Sequence, residues 1–499
     1  KKRLKVLYKL TYNLPLSPVA NTALLYLTQY LFLSSPMYNY FMDKILFAGL
    51  KKIYGNDILY KKEDLYPYAY DTSPNPDDII LPEFVVYPLN SKQVSQTILL
   101  CAKHKVSVIA RGAGTCHCGG CRVKNRAVVL HFSKMDKILE IKKEDLTARV
   151  QPNAVIKKIN EEAEKLNLFF PPDPSNLAIS TIGGAAALSS GGPRTFKYGS
   201  AKDYIINLEV VLSDGRIIKT GSNVAKNVTG YNLTSLFIGS EGTLGIITEL
   251  TLRLIPKPEA RMVTMAYFDS LIEAAGAVNN IINSGFTPAT LDLLDKNTLN
   301  TIEKFNPCGL LCDKEAALLI ELDGFRESLQ IEKKKIFEIL KSSNAAQITQ
   351  AQNEEENEKI WRTRRSAFAA VTKLRPNVIT EDVVVPRSKI VALVRGIEDM
   401  CKKHNIVVCI MGHAGDGNIH PNFALDLSNK EERENFNIVK DKLFSLAISL
   451  GGCLSGEHGI GSEKKKYLKD ALDNGAIEYM EKIKKLFDPQ NIINPYKMF

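Results

Sequence analysis

Arg111-Gly-Ala-Gly-Thr-Cys-His-Cys-Gly-Gly-Cys121 follows the short apolar run Val106 to Ile109 and carries four glycines in eleven residues. It lacks the G-x-G-x-x-G spacing, and no clear helix start follows, which argues against a Rossmann-type dinucleotide site. What remains is a loop whose backbone N–H groups can approach a pyrophosphate because side chains do not block them. Alone, such a loop is no better than a structural turn. Pro171-Pro-Asp-Pro-Ser-Asn176, Ser180-Thr-Ile-Gly-Gly184, Ser190-Gly-Gly-Pro-Arg194 and Gly239-Ser-Glu-Gly-Thr-Leu-Gly245 follow it. Four more separated segments of this kind are too many for tight turns. Together they describe an extended crevice for a long, phosphate-bearing ligand.

Working outward, the chain reads as alternating helices and strands from about Leu46. Val85 to Pro88 and Ala127 to His131 are strand-like; Ser91 to His104 and Pro152 to Leu166 have helical spacing. Leu208 to Leu212 and Ile217-Ile218 flank Ser213-Asp-Gly-Arg216, a hairpin signal. Pro256-Lys257-Pro258 is the best candidate linker. Beyond it, strands are expected at Met262 to Tyr267, near Leu291, and at Ala316 to Leu322, Val383 to Val385 and Ile406 to Met411. Helices are expected at Leu271 to Ser284, up to Lys341, and over Ser388 to Lys403, Lys430 to Leu450 and Ser462 to Phe487. These repeated units suggest an α+β domain with helices on one sheet face.

A second constellation lies in this later region. His413-Ala-Gly-Asp-Gly-Asn-Ile-His420 leaves a strand and turns through two glycines, so both imidazoles can converge. Gly456-Glu457-His458-Gly459 sits between two expected helices. Two histidines and a carboxylate make a three-ligand metal site with positions left open for substrate oxygens. One histidine is more often an ordinary core or surface group. Three of only seven histidines in two glycine-rich turns shift the balance toward a metal.

The series RGAGT, PPDPSN, TIGG, KNVTGYNL and GSEGTLGIIT resembles the vanillyl-alcohol-oxidase-type FAD family, in the branch of D-lactate dehydrogenases and glycolate oxidase catalytic subunits. The likeness runs from about Leu46 to Phe499. It implies an α+β protein with a two-part FAD-binding domain (residues 46–256), a substrate and metal cap domain with an antiparallel sheet (257–470), and a C-terminal segment (471–499) returning to the FAD domain. In that family the loop Arg111, Gly112, Ala113, Gly114 and Thr115, with Gly119 and Gly120, holds the FAD pyrophosphate. Pro172, Asp173, Thr181, Gly183, Gly184 and the stretch Glu241-Gly242 to Ile246 embrace the rest, and Asn494 matches the returning chain. By the same resemblance His413, His420 and Glu457 ligate a divalent metal (zinc, manganese or iron), His458 is the catalytic base, and Arg364 binds the substrate carboxylate. Asp382 also matches, as a residue behind the ligands.

The implied reaction is FAD-dependent dehydrogenation of a small D-2-hydroxy acid, D-lactate or glycolate. Electrons then pass to a quinone, an iron–sulfur subunit or an electron-transfer flavoprotein, with the chain a homodimer or part of a hetero-complex. The chemistry suits the residues: the hydroxyl proton must be removed while a hydride leaves Cα, and imidazole has the side-chain pKa closest to neutral. A guanidinium offers a carboxylate two parallel charge-assisted hydrogen bonds. Trp361-Arg362-Thr363-Arg364-Arg365 is expected to open a helix, with Arg362 and Arg365 as surface charge. A D-2-hydroxyglutarate dehydrogenase is the nearest rival, but that type carries a lysine near Thr380. A non-catalytic flavin subunit would not need His413, His420, Glu457 and His458 together. The sequence departs from the family at Cys116, His117 and Cys118. With Cys121, Cys308 and Cys312, the thiols could hold an iron–sulfur cluster or a disulfide, although C-x-C-x-x-C is not a usual ferredoxin spacing. Small side chains near the flavin are the plainer reading.

Composition sets the outer limits. The 499 residues are 45% hydrophobic and 24% charged, which suits a folded chain of two or three domains. Sixty-five Lys plus Arg against 55 Asp plus Glu leave +10 with no aromatic–basic motif, so nucleic acid is not an expected partner. Nine cysteines in so large a chain fit a reducing, cytoplasmic compartment. Residues 1–45 read as a basic, apolar arm: Lys1, Lys2, Arg3, Lys5 and Lys9 precede Leu10 to Met42, which has no Asp, Glu, Lys or Arg. Its heart, Ala23 to Leu33, is too short to span a membrane. It suits either a peripheral contact with the inner face of the cytoplasmic membrane or a packed helical arm.

Overall fold

The first sheet forms because three apolar runs alternate with a capped helix. Strands Phe84–Val86, Ala127–His131 and Ser107–Arg111 pair in parallel, and Ile58–Leu59 adds antiparallel to the outer edge. The helix Ser91–His104 crosses between two of them. Its Asn90 side chain accepts from Gln93 N–H, and Lys105, at φ 54°, closes it. In this computed structural model residues 36–73 and 79–499 are described, with side chains from residue 44 onward. The helix Pro36–Tyr54 runs through residue 45, where the sequence suggested the end of the arm, and buries Leu46, Leu50 and Tyr54 against this sheet. The apolar heart Ala23 to Leu33 lies outside the described residues.

The second sheet is antiparallel, in the order Ile138–Lys142, Thr147–Val150, Ile246–Arg253, Ile205–Val211, Ile217–Lys219. The Asp-Gly signal is realised as a hairpin between the last two strands, with Gly215 at φ +81°. The expected linker is only partly one. Ile255–Pro256 pairs with Leu168–Phe169 before the chain enters the third sheet.

That third sheet is fully antiparallel: Gln347–Gln350, Ala260–Phe268, Ala316–Gly324, Thr290–Asp295, Val407–His413, Asn418–Leu425 and Asn377–Thr380, with Val383–Val384 also on Asn418–Leu425. Its strands do not alternate apolar with polar; Thr290–Asp295 and Ala316–Asp323 are buried throughout. A strand apolar on both sides must be covered on both. Helices Leu271–Asn283, Arg326–Ser342, Ile390–Lys403 and Lys430–Ser449 cover one face through Leu291, Leu293, Leu318 and Ile320. Helices Lys296–Phe305 and Glu354–Val371 cover the other through Leu294, Leu319, Leu299, Ile302 and Trp361. The expectation of helices on one face is therefore corrected.

Two further expectations change. Trp361 to Arg365 do not open a helix but lie inside Glu354–Val371, whose start is set by Asn353 accepting from Glu356 N–H and by three glutamates in the first turn. The single helix expected over Ser462 to Phe487 is broken into Lys465–Tyr467, Leu468–Ala471 and Asn474–Phe487. Asp473 caps the last piece by accepting from Gly475 and Ala476 N–H. That helix crosses back to the second sheet, where Phe487 meets Phe237 edge-on at 5.2 Å. The chain then adds to the first sheet: Val108 N–H donates to Ile492 O (2.7 Å) and Asn494 N–H to Val108 O (2.9 Å).

Candidate active site

Strand parity assembles the histidines. In Val407–His413, Val408 and Ile410 face the four-helix side, so Met411 and His413 face the other. In Asn418–Leu425, Ile419 and Phe423 face the four helices, which turns Asn418, His420 and Asn422 the opposite way. The strands register Met411 with His420 and His413 with Asn418, so the two imidazoles stand diagonally on one face, 5.2 Å between centroids. His420 thus lies within a strand rather than in the glycine turn.

Glu457 is brought to them by Asp382. The fully buried Asp382 carboxylate accepts from the backbone N–H of Gly456 (3.0 Å), Glu457 (3.2 Å) and His458 (3.0 Å), and from the Ser455 hydroxyl. Its proton affinity falls well below the usual carboxylate range: burial opposes its charge, but nearby cationic charge, that of Lys464 included, outweighs it. Glu457 Oε1 then lies 3.6 Å from His413 Nε2 and 3.2 Å from His420 Nε2, and the three ligand atoms lie within 4.8 Å of one another. Among the described residues this is the only such group.

His413 Nδ1 is paired with Asp292 Oδ1 at 2.7 Å, while its buried Nε2 has no hydrogen-bond partner among the described residues. An imidazole fixed on one nitrogen by a carboxylate and orphaned on the other is what a metal ligand requires. Burial works against charge on His413, yet Asp292 and Glu457 raise its pKa well above the ordinary value. Glu457 is held well below its own, despite burial, by the two histidines. Asp292 is a residue that the sequence did not single out. It stands in the apolar run Leu291 to Leu294, registers directly with His413, and also accepts from Arg364 Nε at 2.8 Å. A carboxylate at a core position was the available signal. Arg364 is buried while Arg362 and Arg365 are exposed, and its two terminal nitrogens make no hydrogen bond with the described residues.

His458 follows Glu457. Burial lowers its pKa to about 3 even though Asp382 opposes this, so the ring is neutral at ordinary pH. His117, from the first glycine-rich loop, stacks on it at 4.8 Å.

The glycine-rich segments converge on the same place. A Cβ on Gly112 would lie 2.3 Å from Thr181 Oγ1, one on Gly119 2.3 Å from Ser462 Oγ, and one on Gly191 3.1 Å from Glu457 Oε2. Gly114, Gly119 and Gly242 have φ +72°, +77° and +66°, open to glycine and costly for other residues. Ala113 is exposed, Thr115 and Gly120 are half-buried, and Thr181 opens the helix Ile182–Leu188 with Gly183 against Pro152. Pro172 is buried, Gly184 lies beside Thr181 Oγ1, and Ile246 begins its strand. Glycines at these close approaches keep side chains out of the cradle, which fits a pyrophosphate.

Several polar side chains in it are committed elsewhere. Arg111 donates to Tyr70 O (2.5 Å) and Pro67 O (3.3 Å). Asp173 accepts from Arg194 N–H (3.1 Å). Glu241 accepts from Ile460 N–H (2.6 Å) and Gly461 N–H (2.7 Å), and Asn494 Nδ2 donates to Gly120 O (3.1 Å) and Glu241 O (2.8 Å). These four carry their loops rather than offering free side chains.

The cysteines are all free thiols. Cys116 Sγ lies 3.7 Å from Cys121 Sγ and bonds Asp71 Oδ2 at 3.1 Å; Cys118 is buried nearby against Gly461. Cys308 and Cys312 lie in the loop after Lys296–Phe305, where Glu303 accepts from Cys308 N–H at 3.0 Å.

Residues 257–498 match the family described as "FAD linked oxidases, C-terminal domain", and residues 82–221 match "FAD binding domain". The chain is 44% identical over 432 residues to the glycolate oxidase subunit GlcD of Bacillus subtilis (strain 168), covering 87% of this chain and 92% of that one. It is 33% identical to a D-lactate dehydrogenase of Anaerostipes hadrus, covering 84% and 89%. A solved structure of p-cresol methylhydroxylase with substrate bound superposes with TM-score 0.77 at 16% identity, covering 92% and 96%. That likeness bears out the expected vanillyl-alcohol-oxidase-type fold.

Proposed function

The chain belongs to the FAD-linked oxidases that include glycolate oxidase subunits and D-lactate dehydrogenases, and from that premise we propose that it oxidises D-lactate or glycolate to the 2-oxo acid. The observation that carries the proposal is the group His413, His420 and Glu457, with His458 beside it and the glycine-rich segment at Gly191 against Glu457.

FAD, when bound along the cradle, supplies the hydride acceptor for the substrate Cα. His413 Nε2, His420 Nε2 and Glu457 would hold a divalent metal, which would supply Lewis-acid chemistry toward the substrate hydroxyl. Zinc, manganese and iron all accept this donor set. The protein does the rest. Arg364 binds the substrate carboxylate through its two terminal nitrogens, because Asp292 already occupies Nε and fixes the guanidinium plane. Asp292 also sets the His413 tautomer, leaving Nε2 as the donor atom. His458, neutral because it is buried, accepts the hydroxyl proton. Asp382 keeps Glu457 and His458 in fixed relation by gathering their N–H groups.

A small acid is favoured over a long dicarboxylate. Thr380 spends its hydroxyl on Asn422 Oδ1 (2.7 Å), and the nearby Lys440 and Lys464 are paired with Glu381. The electron acceptor is a partner protein or a quinone; the naming of relatives as subunits favours a partner protein. Among the described residues no helix is long and apolar enough to cross a membrane, and the basic arm offers a peripheral contact instead.

The test is anaerobic flavin bleaching with a panel of D- and L-2-hydroxy acids, beside elemental analysis. Bleaching by D-lactate or glycolate, abolished in His458→Asn with FAD and metal retained, supports the reading. Bleaching by D-2-hydroxyglutarate alone moves the substrate class, and none by any acid refutes the reading.

A further inference from the structure

Among the described residues, no hydrogen bond orients the imidazole of His458. Its buried Nδ1 has no partner there, and Nε2 has Glu457 Oε1 at 3.9 Å as its nearest carboxylate oxygen. Asp382 fixes the backbone N–H but leaves the side-chain torsions to packing. Packing comes from two flat neighbours. His420 is stacked at 5.1 Å between centroids and 28° between planes, and His117 is stacked at 4.8 Å and 22°. Both geometries fall in the stacked range for aromatic pairs.

The two neighbours have different origins. His420 is carried by the third sheet, whereas His117 comes from the glycine-rich loop of the first. That loop is itself clamped to the segment bearing His458: Cys118 O accepts from Ser462 N–H (3.0 Å) and Glu463 N–H (3.2 Å). The edge of His117 also meets Phe368, one helical turn beyond Arg364, at 6.5 Å and 80°. His117 is thus half-buried between the base and the helix that carries the carboxylate-binding arginine.

We propose that His117 is a positioning residue that completes a three-imidazole stack, His420–His458–His117, and so sets the plane in which His458 meets the substrate hydroxyl. The proposal rests on the reading of His458 as the base. It needs a flat ring at position 117, not a proton on it. Without that ring the imidazole is free to swing, and a misaligned base leaves the productive geometry for part of the time.

The experiment compares His117→Phe, which keeps a ring, with His117→Leu, which keeps apolar bulk only, in the full FAD- and metal-loaded chain. Readouts are kcat and KM for whichever acid the wild type oxidises, FAD and metal content, and the imidazole 1H–15N signal of His458. The Phe variant is expected within two-fold of wild type. The Leu variant should lose about two- to twelve-fold in kcat, the worth of one aromatic pair, with KM within two-fold, cofactor content unchanged and the His458 signal broadened. Equal rates in Leu and wild type, equal losses in Phe and Leu, or loss of FAD or metal from Leu would each overturn the proposal. If the wild type bleaches with no acid, the functional reading fails separately. The His458 signal then decides the stack alone: broadened only in Leu supports it, and identical in all three proteins overturns it.

Discussion

Replacing Asp292 by Asn tests how the proposed carboxylate-binding and metal-holding halves of the site are joined. The Asp292 carboxylate is fully buried and accepts two bonds, from His413 Nδ1 at 2.7 Å and Arg364 Nε at 2.8 Å. An amide of the same shape has one oxygen and one NH2 group. If its oxygen serves His413, the NH2 faces the Arg364 Nε–H, donor against donor; if it serves Arg364, His413 loses its anchor. One charge-assisted bond of about 1.5–3 kcal/mol is lost either way. Removing such a partner behind a ligand weakens metal binding by about 10- to 100-fold. The tilted guanidinium should raise KM for the hydroxy acid, and the unpaired buried cation should lower the unfolding midpoint. The assay is metal retained after dialysis against a graded chelator, followed by flavin bleaching in protein reloaded with metal. Wild-type metal retention together with an unchanged KM would refute the idea that Asp292 joins the two halves.

Other outcomes follow from the same geometry. Because burial depresses the His458 pKa to about 3, lowering the pH from 8 to 5 leaves the ring a proton acceptor, so the bleaching rate should be flat over that range; an acid limb near pH 6.5 in stopped-flow traces would contradict this. Glu241→Gln should cost about 1.5–3 kcal/mol, because an amide cannot accept from both Ile460 and Gly461 N–H. The checks are a lowered thermal midpoint and faster proteolysis between Ser455 and Ser462, and no change in either counts against that role. Removing residues 1–35, which stops short of the helix Pro36–Tyr54, should release activity from membranes in a flotation assay; unchanged partitioning excludes the arm as an anchor.

What was legible in the sequence was mostly local. Glycines that keep side chains off a ligand, Asp-Gly between two apolar runs, and two histidines with a carboxylate in glycine-rich turns each carry their own physical reason within a few residues. The missed features depend on distant partners. Asp292 reads as an oddity in a core strand until register sets it opposite His413, 121 positions away. The second helical layer was hidden because strands buried on both faces lose the alternation that tells one face from the other. The start of Glu354–Val371 was readable, since Asn353 before three glutamates is a helix opening, but the tryptophan–arginine cluster drew the boundary too late. The break at Asp473 was likewise signalled by Asp-Asn-Gly and masked by apolar periodicity on both sides. His117 stood out as a departure from the family, but its stacking was not legible, because its neighbour in the stack is 341 residues away in the chain.

The most direct measurement is anomalous diffraction from crystals of the FAD-loaded protein, collected at the absorption edges of zinc, manganese and iron. One metal peak bonded by His413, His420 and Glu457 is expected, with the flavin ring lying next to it and next to His458. A flavin ring distant from this group, or no metal peak there in protein that bleaches with its substrate, would contradict the account.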